Sequence, residues 1–368
     1  MESTSKRIIF RPVTISQPGI KPKYVNHIPE EVITPKEIDD EAIFSLDGVD
    51  KYLDSIRDDT FQMGLSTGSP SIDSNFRFKR AHFNVINGYD NVGKSTLLWF
   101  MILLTAKKYG WKWIVFTGEN SKGSFTRHCV EYLNANWIKY IPEEDDKKSR
   151  QFIREHFFLM RNDEAYTYRN ILDISLRKMQ KVKIDGILID PYNSLHEATN
   201  SNSHSYHYEA CLAFQHFTRK NDCCIYLNCH AVTGAFRKLD NGYAVAPNKA
   251  DTEGGTKFAS KADDFLTIHR LTNHELDWRV TQLHVRKIKE TETGGFPTMK
   301  DSPVLLQMIK GNVGFVDRNN WNPLTEKTYN CDWSRFPEKG LPTEDDYAPP
   351  SRLVPLVKET DEAQEFPF

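Results

Sequence analysis

The sequence predicts an α/β fold built on a mostly parallel sheet. Apolar strand-like runs alternate with helical stretches from Gly64 to about Val316, as strand–helix–strand crossovers require. A glycine-rich turn, Gly88 to Ser95, falls between one such run and one such helix, where parallel sheets carry their sites. The last three runs have little helix between them, so the sheet is expected to end in antiparallel strands.

The elements follow in order. Residues 1 to about 35 are punctuated by proline, lack periodicity and read as an extended arm. From Pro35 to about Ile56, apolar residues at Ile38, Ile43, Phe44, Leu46, Val49, Tyr52, Leu53 and Ile56 recur at spacings of three and four. That periodicity predicts a short amphipathic helix, which either packs on its own domain or docks on a neighbouring subunit. Strands are expected at 83–86, 113–117, 157–160, 186–190, 224–229, 265–269, 281–288 and 305–309. Helices are expected at 94–109, 121–133, 168–182 and 205–221. After about Cys331 the chain turns proline-rich and acidic and reads as a disordered tail. The expected organisation is an arm and linker helix (1–61), one catalytic domain (62–330) and a tail (331–368).

Composition narrows the function classes. Over 368 residues the net charge is −2, which argues against a globally basic nucleic-acid coat but leaves room for a local basic channel. The six cysteines form no C-x-x-C pair, so neither a zinc ribbon nor a thioredoxin-type site is expected, and a reducing compartment fits. His204 and His207 stand three apart without a matching Cys or Asp, which makes a poor metal site. With no signal-peptide core and no apolar run of membrane-spanning length, the expectation is a cytoplasmic protein without a membrane partner.

The residues that carry chemistry sit at strand ends. "GYDNVGKST" has the spacing G-x-x-x-x-G-K-S with a strand before it and a helix after it, the context of a phosphate-binding loop. Gly88, Asn91, Gly93, Lys94, Ser95 and Thr96 are the expected nucleotide-binding set. Backbone N–H groups would cradle phosphate, Lys94 would reach the terminal phosphates, and Ser95 would hold magnesium. "DGILIDPYN" is an apolar run ending in Asp190. Alone it means little; downstream of a phosphate loop, on a neighbouring strand, Asp190 becomes the second magnesium-organising group. "WIVFTGEN" ends in Glu119, either a solvated loop acid or, if its strand lies beside that of the phosphate loop, the general base. "CCIYLNCHAV" puts His230 after a strand, where it is an ordinary strand-end histidine or a γ-phosphate sensor. "HVRKIKETETGG" gathers Arg286, Lys287 and Lys289 at a strand end, which is either a solvated edge or a finger reaching a neighbour's nucleotide.

Seven motifs in order, "MGLSTGSPSID", "GYDNVGKST", "FTGEN", "ILIDPYN", "LNCHAV", "GGTKFASKADDFLTIHR" and "VRKIKETETGG", resemble the RecA-like motor domain of ring helicases of the DnaB and Twinkle type. The Twinkle-like branch is favoured by "STGSPSID", "DPYN" and "GGTKFASKAD". The resemblance covers about residues 62 to 316. It implies a RecA-like P-loop NTPase core in a homo-hexamer that uses ATP or another NTP with Mg2+ and moves 5′ to 3′ on single-stranded DNA. Under it, Lys94 and Ser95 bind phosphate and magnesium, Asp190 helps hold the metal, Glu119 is the base and His230 the sensor. DNA-contacting loops fall at about 193–204 and 232–251, the second offering Arg237, Lys238 and Lys249.

Two departures stand out. The family's trans-acting finger is usually arginine with a lysine two residues before it; here Lys289 and Lys287 hold those positions, with Arg286 the only arginine nearby. The segment before the motor is too short for a primase or a helical collar, so a separate primase is expected, as in a compact phage or mobile-element system. Two other readings stay open: a recombinase of the RecA or RadA kind, and a loader that binds NTP only to switch shape. The tail, acidic and ending Phe366-Pro367-Phe368, is either a solubilising end or a docking segment for a DNA polymerase or another replisome protein.

Overall fold

A computed structural model describes residues 49–336 apart from 59, 62–63, 197–202, 238, 241, 275–276, 292–293, 300 and 335. The chain divides into two compact units, Met1–Phe61 and Gln62–Phe368. In the first, helix α1 (Val49–Arg57) bears Val49, Tyr52, Leu53 and Ile56 at the spacing of one helical face. The arm and the rest of the expected linker helix lie outside the described residues, as does the tail from 337 onward.

The second unit runs α2 (Pro70–Asp73), β1 (Phe83–Gly88), α3 (Lys94–Tyr109), β2 (Trp113–Thr117), α4 (Lys122–Asn134), α5 (Glu143–His156), β3 (Phe157–Leu159) and α6 (Tyr168–Met179). It continues with β4 (Gly186–Asp190), α7 (Ser203–Asn221), β5 (Cys224–His230), the short strands β6 (Leu239–Asp240) and β7 (Tyr243–Ala244), and α8 (Lys257–Lys261). Strands β8 (Asp264–His269), β9 (Val280–Lys287), β10 (Val304–Met308) and β11 (Phe315–Val316) close the sheet, and β12 (Trp321–Asn322) pairs with β13 (Lys327–Thr328). All the strands expected from the sequence form, close to their expected bounds.

Among the described residues the main sheet has nine strands in the order β11-β10-β9-β8-β1-β5-β4-β2-β3. From β3 to β8 neighbours run parallel; β8-β9, β9-β10 and β10-β11 are antiparallel, the expected ending. One expectation is corrected. The strands of Asp190 and Glu119 do not adjoin that of the phosphate loop: β5 separates β4 from β1, and both separate β2 from β1. Intervening helices make consecutive strands parallel, but they do not say which strand a later one is inserted beside.

Side-chain alternation along each strand divides the core in two. Ile86, Val115, Leu188 and Leu266 face α3 and α4; Val85, Ile114, Ile187, Ile189 and Leu227 face α6 and α7. Helix α3 is apolar almost all round and buried from Leu97 to Ala106, as befits a central helix. Helix α7 lays Tyr206, Ala210 and Phe214 on the other face. Helix α6 starts in a capping box between Thr167 and Asn170, and α4 starts where the Ser121 side chain accepts from Ser124 N. Helix α5 was not legible from apolar periodicity. Its run of charge buries little beyond Ile153, and i,i+4 pairs such as Lys147–Glu143 and Arg150–Asp146 line its face. At the other end of the unit Trp333 Nε1 donates to Asn320 Oδ1 and Arg318 donates to Phe336 O, so packing continues past the expected start of the tail.

Candidate active site

Strand β1 ends at Gly88, and the chain loops over to start α3 at Lys94. Two glycines make this path possible. A Cβ on Gly88 would fall 2.4 Å from Ile268 O, and Gly93 has φ of 84° with the Arg270 guanidinium against it. The start of α3 and the loop amides face a cavity of about 620 Å3 lined by Asp90, Asn91, Gly93, Lys94, Ser95 and Thr96 on one side. Lys94 is 7% exposed, and its Nζ donates to Gly88 O at 2.9 Å and Tyr89 O at 2.7 Å. Burial lowers its pKa, and Asp90, Asp190 and Glu119 pull the other way. An ammonium held only by loop carbonyls at the wall of a cavity is placed to turn to phosphate.

Asp190, at the end of β4, is fully buried. Its Oδ1 accepts from Ser95 Oγ at 3.0 Å and from Asn228 Nδ2 at 2.5 Å, and its Oδ2 accepts from Trp99 Nε1 at 3.1 Å. Burial raises its pKa despite these three donors. A hydroxyl and a carboxylate, both hard oxygen donors and both on the cavity wall, fit a magnesium ion that takes its remaining ligands from water and phosphate. Among the described residues no cluster of three His, Cys, Asp or Glu side chains forms an all-protein metal cage.

Glu119 lies on the turn after β2, and Gly118 N donates to Asp190 O at 2.9 Å, which ties that turn to β4. Its carboxylate is open to the cavity, 3.8 Å from His230 Nε2. His230 Nδ1 meets Asp90 Oδ1 at 2.5 Å. The phosphate loop thus holds one imidazole nitrogen and leaves the other toward Glu119. Although the strand order differs from expectation, Lys94, Ser95, Glu119, Asp190 and His230 all line one cavity.

Several residues of this cavity were missed in the sequence. Arg270, directly after β8, is 9% exposed; its Nε and Nη2 donate to Thr281 Oγ1, and no carboxylate among the described residues pairs with it. Burial pushes its pKa down to about 10. Tyr132, Met308 and Phe315 add an apolar wall beside it. A buried cation next to an aromatic wall suits an anionic or aromatic ligand, and a nucleotide is both. The signal was available: Arg270 ends an apolar strand just as Asp190 and His230 do. Asn228 likewise interrupts an apolar run.

The remaining expected residues lie elsewhere. None of Arg286, Lys287 and Lys289 lines the cavity of its own chain. Lys287 Nζ donates to the carbonyls of Ala259, Ser260 and Ala262 at the end of α8. Lys289 Nζ pairs with Asp263 at 3.2 Å. Arg286 donates to Pro247 O, and its Nε has no partner among the described residues. Arg237 and Lys249 are exposed on the one-turn helices Thr233–Arg237 and Lys249–Asp251 that flank the β6–β7 hairpin. Lys238 and residues 197–202 of the 193–204 loop fall outside the described residues.

Fold and cavity together are those of a RecA-like P-loop core. No family model matches the chain. It is 24% identical over 264 residues to the Twinkle homolog protein, chloroplastic/mitochondrial, of Arabidopsis thaliana, a match that covers 67% of this chain and 36% of that protein. The chain therefore spans little more than a third of the length of this curated relative. The fold is similar to that of a solved ATPase domain, with a TM-score of 0.60 and 14% identity over 74% of this chain and 99% of that one. A DnaB-like replicative helicase, solved to study its interactions with primase, matches with a TM-score of 0.59 and 14% identity over 74% of this chain and 67% of that one. The resemblance to helicases of the DnaB and Twinkle type, read from seven short motifs, is borne out by the sequence match and the fold match alike.

Proposed function

We propose that the chain is the NTP-hydrolysing motor of a replicative DNA helicase, moving 5′ to 3′ on single-stranded DNA as a homo-hexamer. The observation that carries this is the meeting of Lys94, Ser95, Asp190, Glu119 and His230, from four strand ends, around one cavity. Lys94 leaves its two carbonyls for the terminal phosphates. Ser95 and Asp190 would hold magnesium, which supplies charge neutralisation on the phosphates when bound. Glu119 takes the proton of the attacking water, and His230, oriented by Asp90, faces the γ-phosphate. The cation that completes the site comes from a neighbouring subunit, with Lys289 the first choice by position and Arg286 the second.

The loop between Ala231 and Thr252, bearing Arg237, Lys238 and Lys249, follows the DNA backbone. The acidic tail docks a DNA polymerase or another replisome protein. The test is a forked duplex offered with ATP and magnesium. Turnover stimulated by single strands, with separation that requires a 5′ tail, supports the proposal. Strand exchange without unwinding would point to a recombinase, and nucleotide binding without turnover to a loader.

A further inference from the structure

Strand β1 reads Phe83-Asn84-Val85-Ile86-Asn87-Gly88, and both asparagines are buried. An amide inside a sheet is costly unless its donors and acceptor are met. Asn84 is met nearby, by the carbonyls of His82 and Ile225. Asn87, 0% exposed and one residue before the phosphate loop, finds two of its partners in a different part of the chain. Its Nδ2 donates to Asn248 O at 2.9 Å and to Thr252 Oγ1 at 3.1 Å, and its Oδ1 accepts from Thr267 Oγ1 at 2.6 Å on β8.

Asn248 and Thr252 bracket the turn that ends the 232–251 loop. The next residue of β1 holds the other stem. Gly88 O accepts from Ala231 N at 3.0 Å and from Lys94 Nζ at 2.9 Å. Ala231 and Thr252 are themselves bridged. The loop thus leaves and rejoins the body of the protein on the last two residues of β1, and the second of these also carries the phosphate-loop lysine.

We propose that Asn87 is a positioning residue that couples the 232–251 loop to the nucleotide site. The stem at Asn248–Thr252 cannot shift against the phosphate loop without breaking buried bonds of Asn87, so displacement on one side is passed through β1 to the other. The part that concerns DNA rests on the reading of this loop as the DNA contact; the mechanical link does not.

Thr252→Val tests it with little change of shape: it removes one partner of Asn87, together with the bond that Thr252 Oγ1 donates to Lys249 O within the turn, and leaves β1, the phosphate loop and every cavity residue intact. Asn87→Ala removes all three bonds. Two readouts are compared with those of the wild type. The first is ATP turnover with and without single-stranded DNA. The second is hydrogen exchange in residues 239–251 with and without a non-hydrolysable ATP analogue. For Thr252→Val the expected result is a KM for ATP and a DNA-free turnover within about twofold of wild type, with DNA stimulation cut by about tenfold, a usual size for coupling. Protection of the loop by the analogue should vanish, and Thr252→Ser should restore both. The proposal is overturned if both variants keep full stimulation and full protection. It is also overturned if DNA-free turnover falls as far as stimulated turnover, which is the mark of a merely structural role. A wild type protected by the analogue but indifferent to DNA would sink the DNA reading and leave the coupling standing, provided Thr252→Val abolishes that protection. A wild type showing neither effect removes both.

Discussion

Lys94 in the phosphate loop and Lys289 beyond β9 are the same kind of residue in opposite situations. Lys94 is buried at a cavity wall and bonded only to carbonyl oxygens, with its counter-charges nearby but unbonded. Lys289 is 43% exposed, paired with Asp263 and absent from the cavity of its own chain. Lys287 is occupied in the same way, on the carbonyls at the end of α8. On the proposed reading one chain supplies the loop, the metal-organising acid, the base and the sensor, while Arg286, Lys287 and Lys289 rest on their own scaffold. The proposed site is made in two halves, the second supplied by a neighbouring subunit.

The first half is open to the largest effect. Glu119→Gln is expected to keep ATP binding and lose turnover by about 10²-fold or more, the usual scale of general-base loss. Lys94→Ala should lose binding as well. Steady-state ATPase together with equilibrium nucleotide binding checks this, and normal turnover in Glu119→Gln would remove that residue as the base. A smaller effect separates Arg270 from the catalytic set. Because its guanidinium is buried beside the apolar wall, Arg270→Ala should raise the KM for ATP by roughly tenfold with kcat nearly kept, the pattern of lost uniform binding. A fall in kcat at unchanged KM would put Arg270 at the reacting phosphate instead. The smallest effect belongs to the DNA side. Neutralising Arg237 and Lys238 together should lower the salt slope of single-strand binding by about 0.7 for each phosphate that is no longer neutralised. An unchanged slope moves the DNA contact elsewhere.

What could be read from sequence tracks how local the chemistry is. The phosphate loop was legible because strand, turn and helix are contiguous. Asp190 and His230 were legible because a polar residue that ends an apolar run must sit at the rim of a parallel sheet. Arg270 obeys the same rule and was passed over, as was Asp90, whose bond to His230 joins residues far apart in the chain. The order of strands was not legible. β5 and β4 stand between β1 and β2, and Glu119 reaches the cavity because its turn is pinned to Asp190 rather than through strand adjacency. The choice among Arg286, Lys287 and Lys289 depends on a surface that another chain would supply, and no pattern within one chain encodes it.

That dependence is the central claim, and mixing subunits tests it most directly. Lys289→Ala and Glu119→Gln are each prepared as full chains and assayed for DNA-stimulated ATPase alone and then together. Each alone should be nearly inactive while binding ATP normally. Mixed assemblies should recover activity, because an intact Lys289 from the Glu119→Gln subunit meets an intact cradle on its neighbour. If Arg286→Ala rather than Lys289→Ala behaves this way, the finger is the arginine and the two-half site stands. If no mixture regains activity with either cation variant, the nucleotide site is complete within one chain, and the two-half site is wrong.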